Sequence, residues 1–201
     1  MSKYLRLVFA GCVAVLAMSL LAGSAVALRS LSVNRTRVSA TSRSVIFTGA
    51  ELNTTCEVTL NGETTTTAVA KGSTSQIGVI TEGRTTNCRG AARRAVILNT
   101  AVNPMRLAYT SFAGTLPRIT SVTVTASNAL FELQETFAGN CLYRGDAVRS
   151  VFSETLGGQR FNQAEFNRAA STLNSGGFFC PRTGTITGTF TLTPTLNVGL
   201  L

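Results

Sequence analysis

The chain has no histidine and no tryptophan, and Asp146 is its only aspartate. These gaps remove whole classes of chemistry. Histidine is the usual general base near neutral pH and the commonest metal ligand. Without it there is no Ser-His-Asp or Cys-His centre and no His-ligated zinc. No G-x-S-x-G elbow, Walker loop or G-x-G-x-x-G fingerprint occurs. Lysine is scarce too, with only Lys3 and Lys71. Lys71 with Ser73 or Ser75 is the one Ser–Lys pairing open to the chain, and a turn lysine is the preferred reading. Glu132 and Glu135 are three apart; on a strand that spacing turns them to opposite faces, which argues against the paired acids of a glycosidase. No cofactor, no metal and no catalytic residue is implied.

Long apolar runs are confined to the first residues. Lys3 and Arg6 precede an apolar stretch over residues 7–22, and Ala25-Val26-Ala27 follows with small side chains at cleavage-site spacing. Residues 1–27 therefore read as a secretory signal peptide. Cys12 resembles a lipoprotein acceptor, but five residues after Arg6 leave too little apolar run before it, so it belongs to the removed segment. The remainder offers no transmembrane span, which needs about 20 apolar residues. Secretion or display in the cell envelope is the expected localisation. Removing Lys3 and Arg6 leaves sixteen basic against nine acidic residues, a net charge of +7, and all but Lys71 of the basic ones are Arg.

Beyond residue 27, helical periodicity is nearly missing, while Thr, Val, Ile and Phe interleave as strands prefer. Thr185, Thr187, Thr189, Thr191 and Thr193 alternate with Ile186, Gly188, Phe190 and Leu192. A period of two places hydroxyls on one face and apolar groups on the other, and Pro194 is expected to end that strand. Further strands are read at 45–49, 55–60, 63–70, 76–81, 94–99, 106–112, 119–125, 129–134, 141–144 and 147–153. Asn61-Gly62 between two of them predicts a hairpin turn; Lys71-Gly72 and Glu82-Gly83 are expected to bracket another strand. Residues 160–173 carry Phe161, Ala164, Glu165 and Arg168 at helical spacing, so a short helix competes there with strand. Residues 28–42 read as a polar lead-in arm or edge strand, and 43–201 as one β domain. About ten or eleven strands at this spacing predict an all-β fold. A two-sheet sandwich is the first expectation, a closed barrel the alternative. The lack of aromatic girdles argues against a membrane-spanning barrel.

Four cysteines follow the leader: Cys56, Cys88, Cys141 and Cys180. An even count in an exported chain predicts two disulfides. Three pairings exist, and Cys56–Cys88 with Cys141–Cys180 is preferred because each closes a local segment. Arg84, Arg89, Arg93 and Arg94 form the densest basic cluster and bracket Cys88; guanidinium groups suit sulfate, phosphate or carboxylate. No interleaving of Arg with aromatics predicts nucleic-acid binding.

Three segments resemble a group of small secreted bacterial proteins of unknown function. They are Thr55-Cys56-Glu57-Val58-Thr59-Leu60-Asn61-Gly62, then Ala70-Lys71 leading to Ile77-Gly78-Val79-Ile80-Thr81, and Tyr109-Thr110-Ser111-Phe112-Ala113-Gly114-Thr115-Leu116-Pro117, with Cys141-Leu142-Tyr143 later. The Leu-Pro-Trp frequent in that group before the third segment is replaced here by Asn103-Pro104-Met105-Arg106. The resemblance implies export and a bridged β fold, and transfers no activity. The expectation is a secreted or cell-surface, non-catalytic β module that binds an anionic polymer or an envelope protein. The alternatives are a barrel carrying an apolar ligand and a glycan-acting enzyme working with carboxylates alone.

Overall fold

The computed structural model describes residues 30–33, 37–49, 52–64, 68–70, 75–115, 118–135, 139–146, 148–154 and 160–200. The expected leader and its cleavage site lie outside them, as do Lys71, Gly72 and Ser73. All elements among the described residues are strands. In chain order they are β1 Ser30–Val33, β2 Arg37–Gly49, β3 Leu52–Thr64, β4 Ala68–Ala70, β5 Gln76–Gly90, β6 Ala92–Ile97 and β7 Met105–Ala113. There follow β8 Ser121–Ser127, β9 Ala129–Glu135, β10 Gly139–Gly145, β11 Val148–Glu154, β12 Arg160–Ser175 and β13 Thr183–Leu200. The all-β expectation holds, and the two sheets anticipated as a sandwich are hydrogen-bonded into one antiparallel sheet.

That sheet returns on itself. From β13 the pairings pass through β2, β3, β5, β7, β8, β11 and β12 and come back to β13. Eight strands thus make a closed circuit. At its middle three of them hand over to others. Beyond the level of Phe166, β10 replaces β11 beside β12, and β9 and β6 follow in order. β6 then lies along the second half of β5, where Thr85 Oγ1 donates to the Ala95 carbonyl. Asparagines tie this waist. Asn99, almost fully buried, donates to the carbonyls of Asn103 and Asn128 and accepts from the Leu130 N–H. Asn128, at φ 59°, turns β8 into β9 and donates to Asn103 Oδ1 and the Pro104 carbonyl. Left-handed φ is a conformation Asn tolerates better than most residues. Two short strands sit outside the circuit: β1 pairs with the end of β13, and β4 with β1.

Several local expectations are corrected, each for a backbone reason. Asn61-Gly62 is not a turn; β3 runs through it, paired to β2 on one side and β5 on the other. A bulge lies there, and a Cβ on Gly62 would stand 2.6 Å from the Val79 carbonyl oxygen, so glycine serves close strand approach rather than reversal. Glu82-Gly83 likewise stays inside β5, because Ile97 packs where a Gly83 side chain would be. Residues 160–173 are strand throughout. Extra residues in β12, near Asn162 against β11 and near Arg168 against β13, shift the register twice. The buried positions Phe161, Ala164, Phe166, Ala169 and Ser171 therefore alternate steps of three and two, which imitates helical spacing. Pro194 does not end β13. The β12 ladder skips from Thr191 to Leu196 and the β2 ladder stops at Thr193, so no partner asks this residue for an N–H. Residues 37–42, read as lead-in arm, belong to β2 and are paired on both sides from Ser39 to Thr41.

Both disulfides join the cysteines of the preferred pairing, Cys56–Cys88 and Cys141–Cys180. They bind neighbouring parts of the sheet: the first crosses β3 to β5, and the second ties β10 to the β12–β13 connection. The predicted face of β13 is also realised. Phe190 and Leu192 are buried, while Thr189, Thr191 and Thr193 are exposed.

Candidate functional site: the interior of the circuit

Inward-facing side chains of the eight strands do not fill the space they enclose. A cavity of about 120 Å³, measured as room for the centre of a water molecule, lies between them. Every strand of the circuit lines it. Ala40 comes from β2, Leu60 from β3, Ile80 from β5 and Leu107 from β7. Val124 of β8, Phe152 of β11, Phe161 of β12 and Leu192 of β13 complete the round. The reason is periodicity: each strand alternates, so each contributes one or a few apolar groups to a shared interior. A second, smaller void of about 40 Å³ lies nearer the waist, among Phe47, Phe131, Phe166 and Phe190.

Polar groups appear only at one side of the main cavity. An outer groove of about 360 Å³ is lined by Arg37, Ser39, Asn61, Thr81, Thr193 and Pro194. It shares Val38, Gly62 and Glu63 with the cavity lining. An apolar interior thus adjoins a polar groove carrying one guanidinium and one carboxylate, across β2 and β3.

The four arginines read from the sequence are all exposed. Arg84 and Arg89 stand on β5, Arg93 and Arg94 on β6, so a single β5–β6 arm carries them. None of their side chains makes a hydrogen bond or ion pair with another described residue. Carboxylates stand among them: Glu57 opposes Thr86 across the β3–β5 ladder, and Glu132 opposes Val96 across the β9–β6 ladder. The arm is therefore of mixed sign. Glu132 and Glu135 fall on opposite parities of β9, as their spacing requires, and Glu132 accepts from the Gln134 amide. Ser75 pairs through its carbonyl with the Tyr109 N–H; its lysine partner lies outside the described residues.

Sequence reasoning did not find the cavity. Its lining is drawn from eight separate strands, so no local motif encodes it; the one available signal was alternation sustained around the whole domain. Of the resemblance segments, residues 55–62 sit in β3, 109–113 in β7 and 141–143 in β10.

Tyr143 marks the opposite half. Its ring is buried and stacked on Phe131 at 5.3 Å, and its hydroxyl has no hydrogen-bond partner among the described residues. Burial, and then the charge of Glu135, push the phenol from 10.0 up to about 12. A raised folded-state value means that the native chain holds this proton more tightly than the unfolded chain. The stabilisation is complete below pH 10 and is lost as pH climbs to about 12. Urea midpoints are expected to fall over that window, and to fall less in Tyr143→Phe. At neutral pH the same variant should be neutral or more stable by about 1 kcal/mol, since an unpaired buried hydroxyl is removed.

No protein-family model matches the chain, and no curated protein or solved structure matches it either. Among the described residues no helix is long and apolar enough to cross a membrane.

Proposed function

We propose that the domain is a secreted, non-catalytic carrier that holds the apolar end of a small molecule inside its closed circuit. The unfilled interior carries this reading. Apolar cavities of about 150 Å³ lined by Leu, Ile and Phe stay dry and accept benzene-sized guests, and about 120 Å³ of this lining is comparable. The ligand class is a short alkyl chain or a single ring with a polar end. The polar end belongs in the adjoining groove, beside Arg37 and Asn61. Two disulfides support an oxidising compartment.

The test is methyl NMR of the oxidised domain during titration with benzene and with octanol. Saturable shifts are expected at Leu107, Val122, Val124 and Leu192. Ala40→Leu, which pushes a larger side chain into the same space, should abolish them while leaving the rest of the spectrum unchanged. Absence of shifts with both guests, or equal shifts in the variant, overturns the reading. A second reading is binding of an anionic polymer by the β5–β6 arm, favoured by four exposed guanidinium groups with no partner among the described residues. Heparin fragments followed by amide NMR separate the two, because they would move the backbone amides of Arg84 and Arg94 with an affinity that weakens with salt.

A further inference from the structure

The connection between β12 and β13 holds an arrangement that folding does not explain. The Cys180 N–H donates to the Gly177 carbonyl at 3.0 Å, so residues 177–180 form a β-turn with Phe178 and Phe179 at its two corner positions. Turn corners ordinarily favour Gly, Pro, Asn, Asp and Ser. Phe178 is 97% exposed and Phe179 72%, and their rings meet edge to face at 5.6 Å. The turn is fixed at its base. Cys180 is bridged to the fully buried Cys141, and the Leu173 N–H donates to the Arg182 carbonyl. Two large apolar groups are thus held out into solvent on a stapled tip.

The surroundings are basic. Pairing places the ends of β5, β9 and β12 and the starts of β6, β10 and β13 at this same end of the molecule. Arg89, Arg93 and Arg182 are exposed there. Glu135 is the one carboxylate of that rim among the described residues, and burial raises its pKa. The tip is convex and small. Two Phe rings offer about 150–250 Å² each, well short of the roughly 800 Å² per partner that a stable protein interface buries. A lipid surface sets no such minimum footprint; apolar insertion and cation attraction to anionic headgroups add together.

We infer that the Phe178–Phe179 turn is a wedge that inserts into an anionic lipid surface, with Arg89, Arg93 and Arg182 facing the headgroups. This inference stands independently of the cavity. It is tested with the mature, oxidised domain and vesicles of phosphatidylcholine, with or without phosphatidylglycerol. Co-sedimentation is expected with the anionic vesicles, falling steeply with salt, and Phe178→Ser/Phe179→Ser should reduce it about tenfold or more. Because the chain has no Trp, Phe178→Trp supplies a single reporter whose emission should shift to the blue on binding and be quenched by brominated acyl chains. Failure of the native domain to bind anionic vesicles overturns the inference. So does equal binding by the double Ser variant, or a Trp that stays in water. Self-association by sedimentation that vanishes in the double Ser variant, with vesicles unbound, also overturns it and assigns the tip to a protein contact. Circular dichroism of both variants checks that the exposed substitutions leave the fold intact.

Discussion

Phe131→Ala is expected to cost about 3–5 kcal/mol, the range for removing a buried aromatic side chain. Phe131 is buried on β9 and sits between Phe47 of β2, at 5.2 Å, and Tyr143 of β10, at 5.3 Å. Its ring stacks on its cross-strand neighbour Tyr143 in the β9–β10 ladder and reaches across the interior to Phe47, on a strand that is not paired with β9. Truncation removes the transfer energy of the ring, opens a cavity and breaks two aromatic contacts, each worth about 0.5–1.5 kcal/mol. Small domains are stable by only about 5–15 kcal/mol in total. Guanidinium denaturation should therefore show a large fall in midpoint with an unchanged slope. Phe178→Ala, at the exposed turn, is the matched control and should stay within about 0.5 kcal/mol of the native chain. A small effect for Phe131→Ala would mean that the aromatic bridge is not what holds those walls together.

The second large effect belongs to the disulfides. Cys56–Cys88 closes a separation of 32 residues and Cys141–Cys180 one of 39. Chain-entropy reasoning gives about 3–4 kcal/mol for each. Paired Cys→Ala variants remove a bridge without leaving buried thiols, and each should lower the denaturation midpoint accordingly. The two differ in reach. Cys56 and Cys88 lie inside the hydrogen-bonded β3–β5 ladder, which keeps those strands together after the bond is gone. The second bond is the covalent link that fixes the turn carrying Phe178 and Phe179 to the β10 wall. Its removal should also raise hydrogen exchange at residues 176–182, whereas loss of the first should not.

Much of this architecture was legible in the sequence, and the failures are instructive. The β13 strand was plain because its side chains alternate without interruption from Thr185 to Thr191. The cysteine pairing followed from proximity along the chain, because disulfides in this topology join adjacent elements. β12 was ambiguous because two inserted residues replaced steps of two by steps of three. Asn61-Gly62 misled because glycine answers two different demands, reversal of the chain and close passage of a neighbouring strand, and the dipeptide does not say which. Closure of the sheet could be read only as the alternative to a sandwich, because it depends on β2 meeting β13, a contact between segments far apart in the chain. The cavity was hidden for the same reason. The Arg84–Arg94 cluster was found, but not the glutamates that neighbouring strands bring beside it.

The placement of β13 bears on how the molecule is made. β13 is seated between β2 and β12, so any intermediate that has not yet added it carries two unsatisfied strand edges. Such distant pairing is slow to form, and exposed edges invite association between chains. A chain stopped before Thr183 should accumulate as aggregates rather than as a smaller folded body. The strand that closes the circuit is the one that makes the protein safe from its own copies.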